Sequence, residues 1–245
     1  MESRVEPRAL SARIGAIGLP LGVILLVLAT AVHPSRENAM DNTAVFEEYA
    51  QSDGWIAIHF TQWVASLLFF GGLVALYFAM TAKREGPAAL ARFGLVGVVL
   101  TAAAITMLQA VDGVALKWAV DAWVDAPADQ EGSTFAAAMA LRWTEYALQS
   151  YSNILLGLTL ILFGLAIATG NAYSRWPGWL AAGSGVAWII HGLMVSYIGL
   201  FDSAPRGVAL VLTAGWAFVM AVLMWRSGGR DHALQGPAPE DPGTA

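Results

Sequence analysis

The chain has 245 residues, of which 57% are hydrophobic and only 13% charged, where a soluble domain carries roughly a quarter charged residues. This is a membrane composition, long enough for about six spans of ~20 residues and too short to add a soluble catalytic domain of ordinary size. The formal charge of -5 and the scattered basic residues exclude nucleic acid as a partner, and the absence of Cys excludes disulfides, thiolate metal sites, iron–sulfur ligation and a cysteine nucleophile.

Taken in chain order, Arg4, Arg8 and Arg13 precede an uncharged run over residues 14–32. Ala29-Thr30-Ala31 has the composition of a signal-peptidase site, but the run exceeds a signal h-region, so a retained first span is expected, bent at Pro20. His33-Pro34 stops that helix. An acidic connection follows, with a short helix predicted over 43–50. Further spans are predicted over 55–80, 92–116, 145–169, 177–200 and 206–225, and no stretch sustains strand alternation. Between the third and fourth spans, Ser133 is positioned to cap a helix running to Thr169, ~37 residues or ~55 Å, which exceeds the ~30 Å hydrocarbon core and predicts a projecting end. Pro177 and Pro205 stand where helices tolerate proline, at their starts. The expected fold is all-α: one six-helix transmembrane domain over 1–226 and a disordered cytoplasmic tail over 227–245.

Orientation follows from the basic residues. Nine of them, Arg4, Arg8, Arg13, Lys83, Arg84, Arg92, Arg175, Arg226 and Arg230, fall on one side, against four, Arg36, Lys117, Arg142 and Arg206, on the other. The positive-inside rule therefore places both termini in the cytoplasm. Tyr77, Trp176, Trp179 and Trp225 form the inner aromatic belt, and Trp55, Trp118, Trp123 and Trp143 the outer one. Trp188 and Trp216 lie inside their spans. Gly71-Gly72, Ala181, Gly185, Gly192 and Ser196 mark helix contacts.

Ionisable groups within spans are costly and are the default functional candidates. At 1.5 Å per residue, His59, Asp112, Glu145 and His191 lie ~31, ~30, ~36 and ~21 Å from the cytoplasmic ends of their helices, all in the outer half. His59, Gln62 and Ser66 share a face of the second span, Gln109 and Asp112 of the third, and Glu145, Gln149 and Asn153 of the fourth. The expectation is one polar pocket open to the extracytoplasmic side, with His191 as its floor and His33 and Lys117 at its rim. The same residues admit structural readings: ion pairs of Asp112 with Lys117 or of Glu145 with Arg142, helix anchoring by His59, a hydrogen-bonded neutral His191, and interhelical amide bonds.

No HExxH, P-loop, GxSxG or GxGxxG arrangement occurs. His59 and His191 are the intramembrane pair available to a haem, though ~10 Å apart in depth. A zinc ion with an open position would recruit His59, His191 and Asp112. Neither cofactor is expected; haem or zinc belongs to an alternative reading as a membrane-embedded enzyme or electron-transfer protein. The leading expectation is binding or passage of a small molecule or ion, as in a transporter or sensor subunit, with Asp112 and Glu145 as proton or cation partners and His191 as a relay. A third reading is an accessory subunit whose small-residue faces meet a membrane partner or a second copy.

The run Arg175-Trp176-Pro177-Gly178-Trp179-Leu180 before an Ala/Gly-rich fifth span, the step Gln109-Ala110-Val111-Asp112-Gly113, and the loop lengths resemble a family of small six-span bacterial integral membrane proteins of unknown function (DUF-type). The resemblance covers residues 10–226 and departs in the polar pattern of the fourth span and in the long acidic outer loops. It implies the six-span fold and a bacterial cytoplasmic membrane, which the Ala, Gly and Val bias of GC-rich coding also suits, and it implies no site residue.

Overall fold

Residues long and apolar enough to span a bilayer must satisfy their backbone internally, and here they do so as helices. A computed structural model describes residues 7–81, 88–200 and 203–233. Among these, the elements are α1 (Pro7–Ala31), α2 (Asn42–Ala50), α3 (Trp55–Thr81), α4 (Ala88–Ala110), a π-helical turn (Val111–Leu116), α5 (Lys117–Val124), α6 (Glu131–Thr169), α7 (Trp176–Ile198) and α8 (Ala204–Ala233), with no strand. Six stretches are long and apolar enough to cross a membrane: Ala9–Ala31, Trp55–Thr81, Ala89–Val124, Glu131–Thr169, Trp176–Ile198 and Ala204–Gly228. The chain is an all-α, multi-pass membrane protein.

Three details depart from the expected boundaries. The third span is not one α-helix: a π turn interrupts it at Val111–Leu116, and the helix resumes as α5. α6 starts at Glu131 with Gln130 as its N-cap residue, so Ser133 sits inside the first turn and donates its hydroxyl back to the Gln130 carbonyl at 2.8 Å. α8 continues to Ala233, across the start of the expected tail: Gly228 packs on Ala9 and Ala12 of α1, which offsets the poor helix propensity of Gly228-Gly229, and no proline follows to stop the helix there. Residues 234–245 lie outside the described residues, as do residues 82–87.

The spanning helices form a ring in chain order: α1 packs on α3, α3 on α4, α4 on α6, α6 on α7, α7 on α8, and α8 returns to α1. Leu73, Leu76, Phe163, Trp216 and Met220 are fully buried within it. Between lipid-facing helices the hydrophobic effect gives little drive, so association rests on close packing. The α6/α7 seam shows how the sequence achieves this. Ser150, Gly157 and Gly164 meet Gly192, Gly185 and Gly178 in antiparallel register, each step one heptad along both helices. A Cβ on Gly157 would stand 2.4 Å from the Gly185 carbonyl, and a Cβ on Gly185 2.4 Å from the Gly157 carbonyl. α1 and α3 interlock similarly, with Gly18 and Gly22 against Leu68, Phe69 and Ala65, and Gly72 against Leu19. Gly199, at φ 82°, ends α7 in the left-handed region and donates its N–H to Val195.

At 39 residues, α6 is ~58 Å long at 1.5 Å per residue and passes well beyond a ~30 Å hydrocarbon layer. Its first turns, with α2 and α5, build a second small core around Val45, Phe46, Leu116, Val120, Trp123 and Ala138. Phe46, Trp123 and Phe135 stack edge-on with centroids 5.3 to 6.0 Å apart. This cap sits over one end of the ring.

Candidate functional site

The polar residues gather between that cap and the ends of α3, α4 and α6. His59, one turn into α3, is 1% exposed. Its Nδ1 lies 2.8 Å from the Trp55 carbonyl, and its Nε2 lies 3.0 Å from Asp112 Oδ2. A carbonyl only accepts, so Nδ1 carries hydrogen. Both ring nitrogens therefore face acceptors, and the Nε2···Oδ2 bond needs a proton of its own, held by an imidazolium or by a carboxylic acid. In either form the pair shares one proton.

Two local features bring these side chains together. Asp112 and Gly113 lie in the π turn, which widens the helix and offsets its hydrogen-bond ladder. The Asp112 carbonyl accepts from Trp55 Nε1 at 3.0 Å, tying the turn to the head of α3. Gly113 lets the two backbones close: a Cβ there would stand 2.5 Å from His59 Cβ. One turn deeper, Gln109 Nε2 reaches Gln62 Oε1 at a long 3.5 Å. Asp112 Oδ1 and Gln109 Oε1 are buried acceptors with no hydrogen-bond partner, a state that costs about 1–3 kcal/mol per group unless a donor arrives.

A second group flanks the first. Arg142 (1% exposed) and Glu145 (4% exposed) form a buried ion pair on α6 at 3.1 Å. The guanidinium also donates from Nη1 to the Tyr49 hydroxyl at 2.7 Å and from Nε to the Tyr146 hydroxyl at 3.1 Å, and lies over both rings at 5.3 and 5.1 Å. Burial pushes the Tyr49 phenol far above its ordinary range; Arg142 opposes the rise, and the charges of Glu145 and Asp112 add to it. Both groups thus act on one side chain of α2.

His33 closes the rim. Its ring lies 5.0 Å from Trp55 and 5.0 Å from His59, and Trp55 in turn stacks on Tyr49 at 4.0 Å. The loop carrying it is clamped to α2, where the Glu48 carboxylate accepts from the backbone N–H of Arg36 and Glu37 at 3.0 and 3.3 Å. Burial holds the His33 imidazole below its ordinary value, the neighbouring His59 adds to that, and Asp112 and Glu48 pull the other way.

The expected site residues divide accordingly. His59 joins Asp112, Gln62 joins Gln109, and Glu145 lies in the adjoining ion pair. Gln149 donates to Asn153 Oδ1 at 3.0 Å along α6, leaving Asn153 Nδ2 buried without a partner. His191 is directed to Ser203, at 3.0 Å ahead of α8, and packs on Trp188. Lys117 does not pair with Asp112; it bonds Asp121 and the Ala50 carbonyl, joining α5 to the C-terminal end of α2. Among the described residues no group of three or more His, Asp or Glu is placed to hold a metal, so His59, His191 and Asp112 do not assemble as a zinc site. To ligate haem iron or zinc through Nε2, His59 must first give up Asp112. Tyr49 and Tyr146 were not singled out from sequence, and Gly113 only as the end of the Gln109–Gly113 step; Tyr49 sits on the short helix of an otherwise acidic loop, which was the available signal.

The ring, the cap and the buried proton-sharing pair define a multi-pass membrane protein with a polar site at one end of its bundle. No protein-family model, no curated protein and no solved structure matches this chain.

Proposed function

We propose that the chain is a cytoplasmic-membrane protein, both termini inside, that exchanges a proton at the His59–Asp112 pair beneath an extracytoplasmic cap and couples that exchange to binding or passing a small polar molecule or ion. The orientation is supported by the basic residues, nine against four. One observation carries the functional reading: both nitrogens of a buried histidine face acceptors, while the partner carboxylate keeps a second buried oxygen with nothing bonded to it. With Glu145 ionised against Arg142, the cluster is neutral while the shared proton is present and carries one buried negative charge when it leaves. Such a charge is unfavourable in a low-dielectric setting, so departure of the proton favours arrival of a cation or a hydrogen-bond donor at Asp112 Oδ1 and Gln109 Oε1.

The test is infrared difference spectroscopy of the protein in lipid between pH 5 and pH 9, about the range in which histidine–carboxylate pairs exchange protons. The expected result is a carboxyl band that disappears in Asp112→Asn and shifts in His59→Gln. An identical difference spectrum in wild type and Asp112→Asn overturns the reading.

A further inference from the structure

At the opposite end of the bundle, where α1 begins and α8 ends, a groove of about 300 Å³ runs between the two helices, lined by Ala16, Ala221, Val222, Trp225 and Arg226. Its origin is in the seam. Gly15 gives up its Cβ volume to Met224, whose Cε lies 2.1 Å from where that Cβ would stand, and Gly228 rests against Ala9 and Ala12. The two helices are therefore pinned together at these points. Beside them the small side chains of Ala16 and Ala221 leave a hollow, open to the outside between Val222 and Trp225, which are 50% and 57% exposed.

The mouth of this hollow is cationic on both walls. On α1, Arg13 precedes Ala16 by three residues; on α8, Arg226 follows Val222 by four. Each guanidinium thus stands one turn beyond the apolar lining, toward the same end of the bundle. Arg13 Cγ lies 3.7 Å from the Cβ position of Gly228, which puts α1's arginine across from the α8 turn that carries Arg226. Both side chains are exposed, and neither makes an ion pair or hydrogen bond among the described residues. Trp225 stands beside them, the residue type that settles at headgroup level.

We infer that this groove holds an acyl chain of one anionic glycerophospholipid, with the lipid phosphate bound between Arg13 and Arg226. The apolar slot alone would accept any lipid tail. The two guanidiniums at its mouth select an anionic headgroup: phosphate oxygens accept charge-assisted hydrogen bonds from both, and no ammonium in the headgroup competes for that phosphate as it does in a zwitterionic lipid. The site is separate from the polar cluster under the cap and does not depend on what that cluster does.

The experiment is native mass spectrometry with thermal unfolding of detergent-purified, delipidated protein, titrated with phosphatidylglycerol, with phosphatidylcholine of the same chains, or with inorganic phosphate. Expected are one retained phosphatidylglycerol per chain with a raised Tm, and neither effect from the other two probes. Arg13→Gln and Arg226→Gln each weaken retention ~5-fold and together ~30-fold, at ~1 kcal/mol per arginine. Val222→Phe, at an exposed position, fills the slot and lowers retention with both cations intact. Equal retention of phosphatidylcholine, a Tm rise from phosphate alone, or undiminished phosphatidylglycerol binding in the double arginine variant overturns the assignment.

Discussion

His59 and Asp112 meet across the α3/π-turn contact at 3.0 Å, with the second nitrogen of His59 already committed to the Trp55 carbonyl. The geometry exists because Gly113 has no Cβ and because the π turn turns the Asp112 carboxylate toward α3 while Trp55 holds its carbonyl. Gly113→Ala is therefore expected to separate the pair without removing either member. A Cβ at 2.5 Å from His59 Cβ must push backbone against a rigid ring, at a cost of about 1–3 kcal/mol for an overpacked contact. The check is the Asp112 carboxyl band: the shift that His59→Gln gives it should vanish in the Gly113→Ala background, and a shift of wild-type size would show that the approach of the two backbones is not what couples them.

The Arg142–Glu145 pair is costly to break on one side and adds little net stability when intact. Arg142→Met leaves the Glu145 carboxylate buried and uncompensated, and a loss of about 3–5 kcal/mol is expected. The double variant Arg142→Met/Glu145→Leu removes both charges and should recover most of it. Tyr49→Phe removes one acceptor from the guanidinium and is expected to cost about 1.5–3 kcal/mol, the range for hydrogen bonds to charged groups. Unfolding in mixed micelles of rising denaturing-detergent fraction reads all three, together with Glu145→Leu alone; a loss in the double variant equal to the sum of the Arg142→Met and Glu145→Leu losses would contradict the pairing.

How much of this could be seen in the sequence depends on which coordinate is asked about. Depth was legible, because helices rise by a fixed ~1.5 Å per residue, so His59 and Asp112 were placed at one level and α6 was expected to project. Rotation about each axis was not. His191, ~9 Å deeper than Asp112 by the same rise, was expected as the floor of one pocket, yet it is directed to Ser203 before α8, a partner that no periodicity in the fifth span indicates. The π turn was invisible for a related reason: it is a change in hydrogen-bond offset, and Val111-Asp112-Gly113 carries the same apolar-run signal whether wound as α or π. The Glu145–Arg142 pair was available as a structural reading, since residues three apart on a helix are neighbours, and that is the contact Glu145 makes.

His33 supplies a pH dependence with a definite sign. Its ordinary pKa of 6.5 is lowered in the folded protein, mainly by burial, so the unfolded chain binds the proton more readily and protonation favours unfolding. The His33 contribution is neutral above pH 6.5 and becomes destabilising as pH falls below it, until the folded-state value is passed. His33→Phe keeps a ring against Trp55 and cannot charge. The expected outcome is that Tm falls less between pH 7.5 and pH 5.5 in His33→Phe than in wild type; an equal fall in both assigns the acid sensitivity to other groups.

Gly71 and Gly72 are adjacent and look alike in sequence, both small residues in the second span, but they point ~100° apart around the helix. A Cβ on Gly72 would stand 2.8 Å from Leu19 Cγ and 2.8 Å from the Leu19 backbone nitrogen, inside the α1/α3 seam, whereas a Cβ on Gly71 meets nothing within 4 Å. The same substitution should therefore act in opposite directions. Gly71→Ala gains helix propensity of up to about 1 kcal/mol at no packing cost. Gly72→Ala gains the same propensity but must displace the backbone of α1, which Gly18 and Gly22 hold against α3 by contacts equally short of room. Overpacking of about 1–3 kcal/mol then outweighs the gain, and more when backbone has to move. Thermal unfolding of the two single variants beside wild type decides it: Gly71→Ala at or above the wild-type Tm, Gly72→Ala below it. A reversal of that order would mean that α1 is not seated on α3 through Gly72.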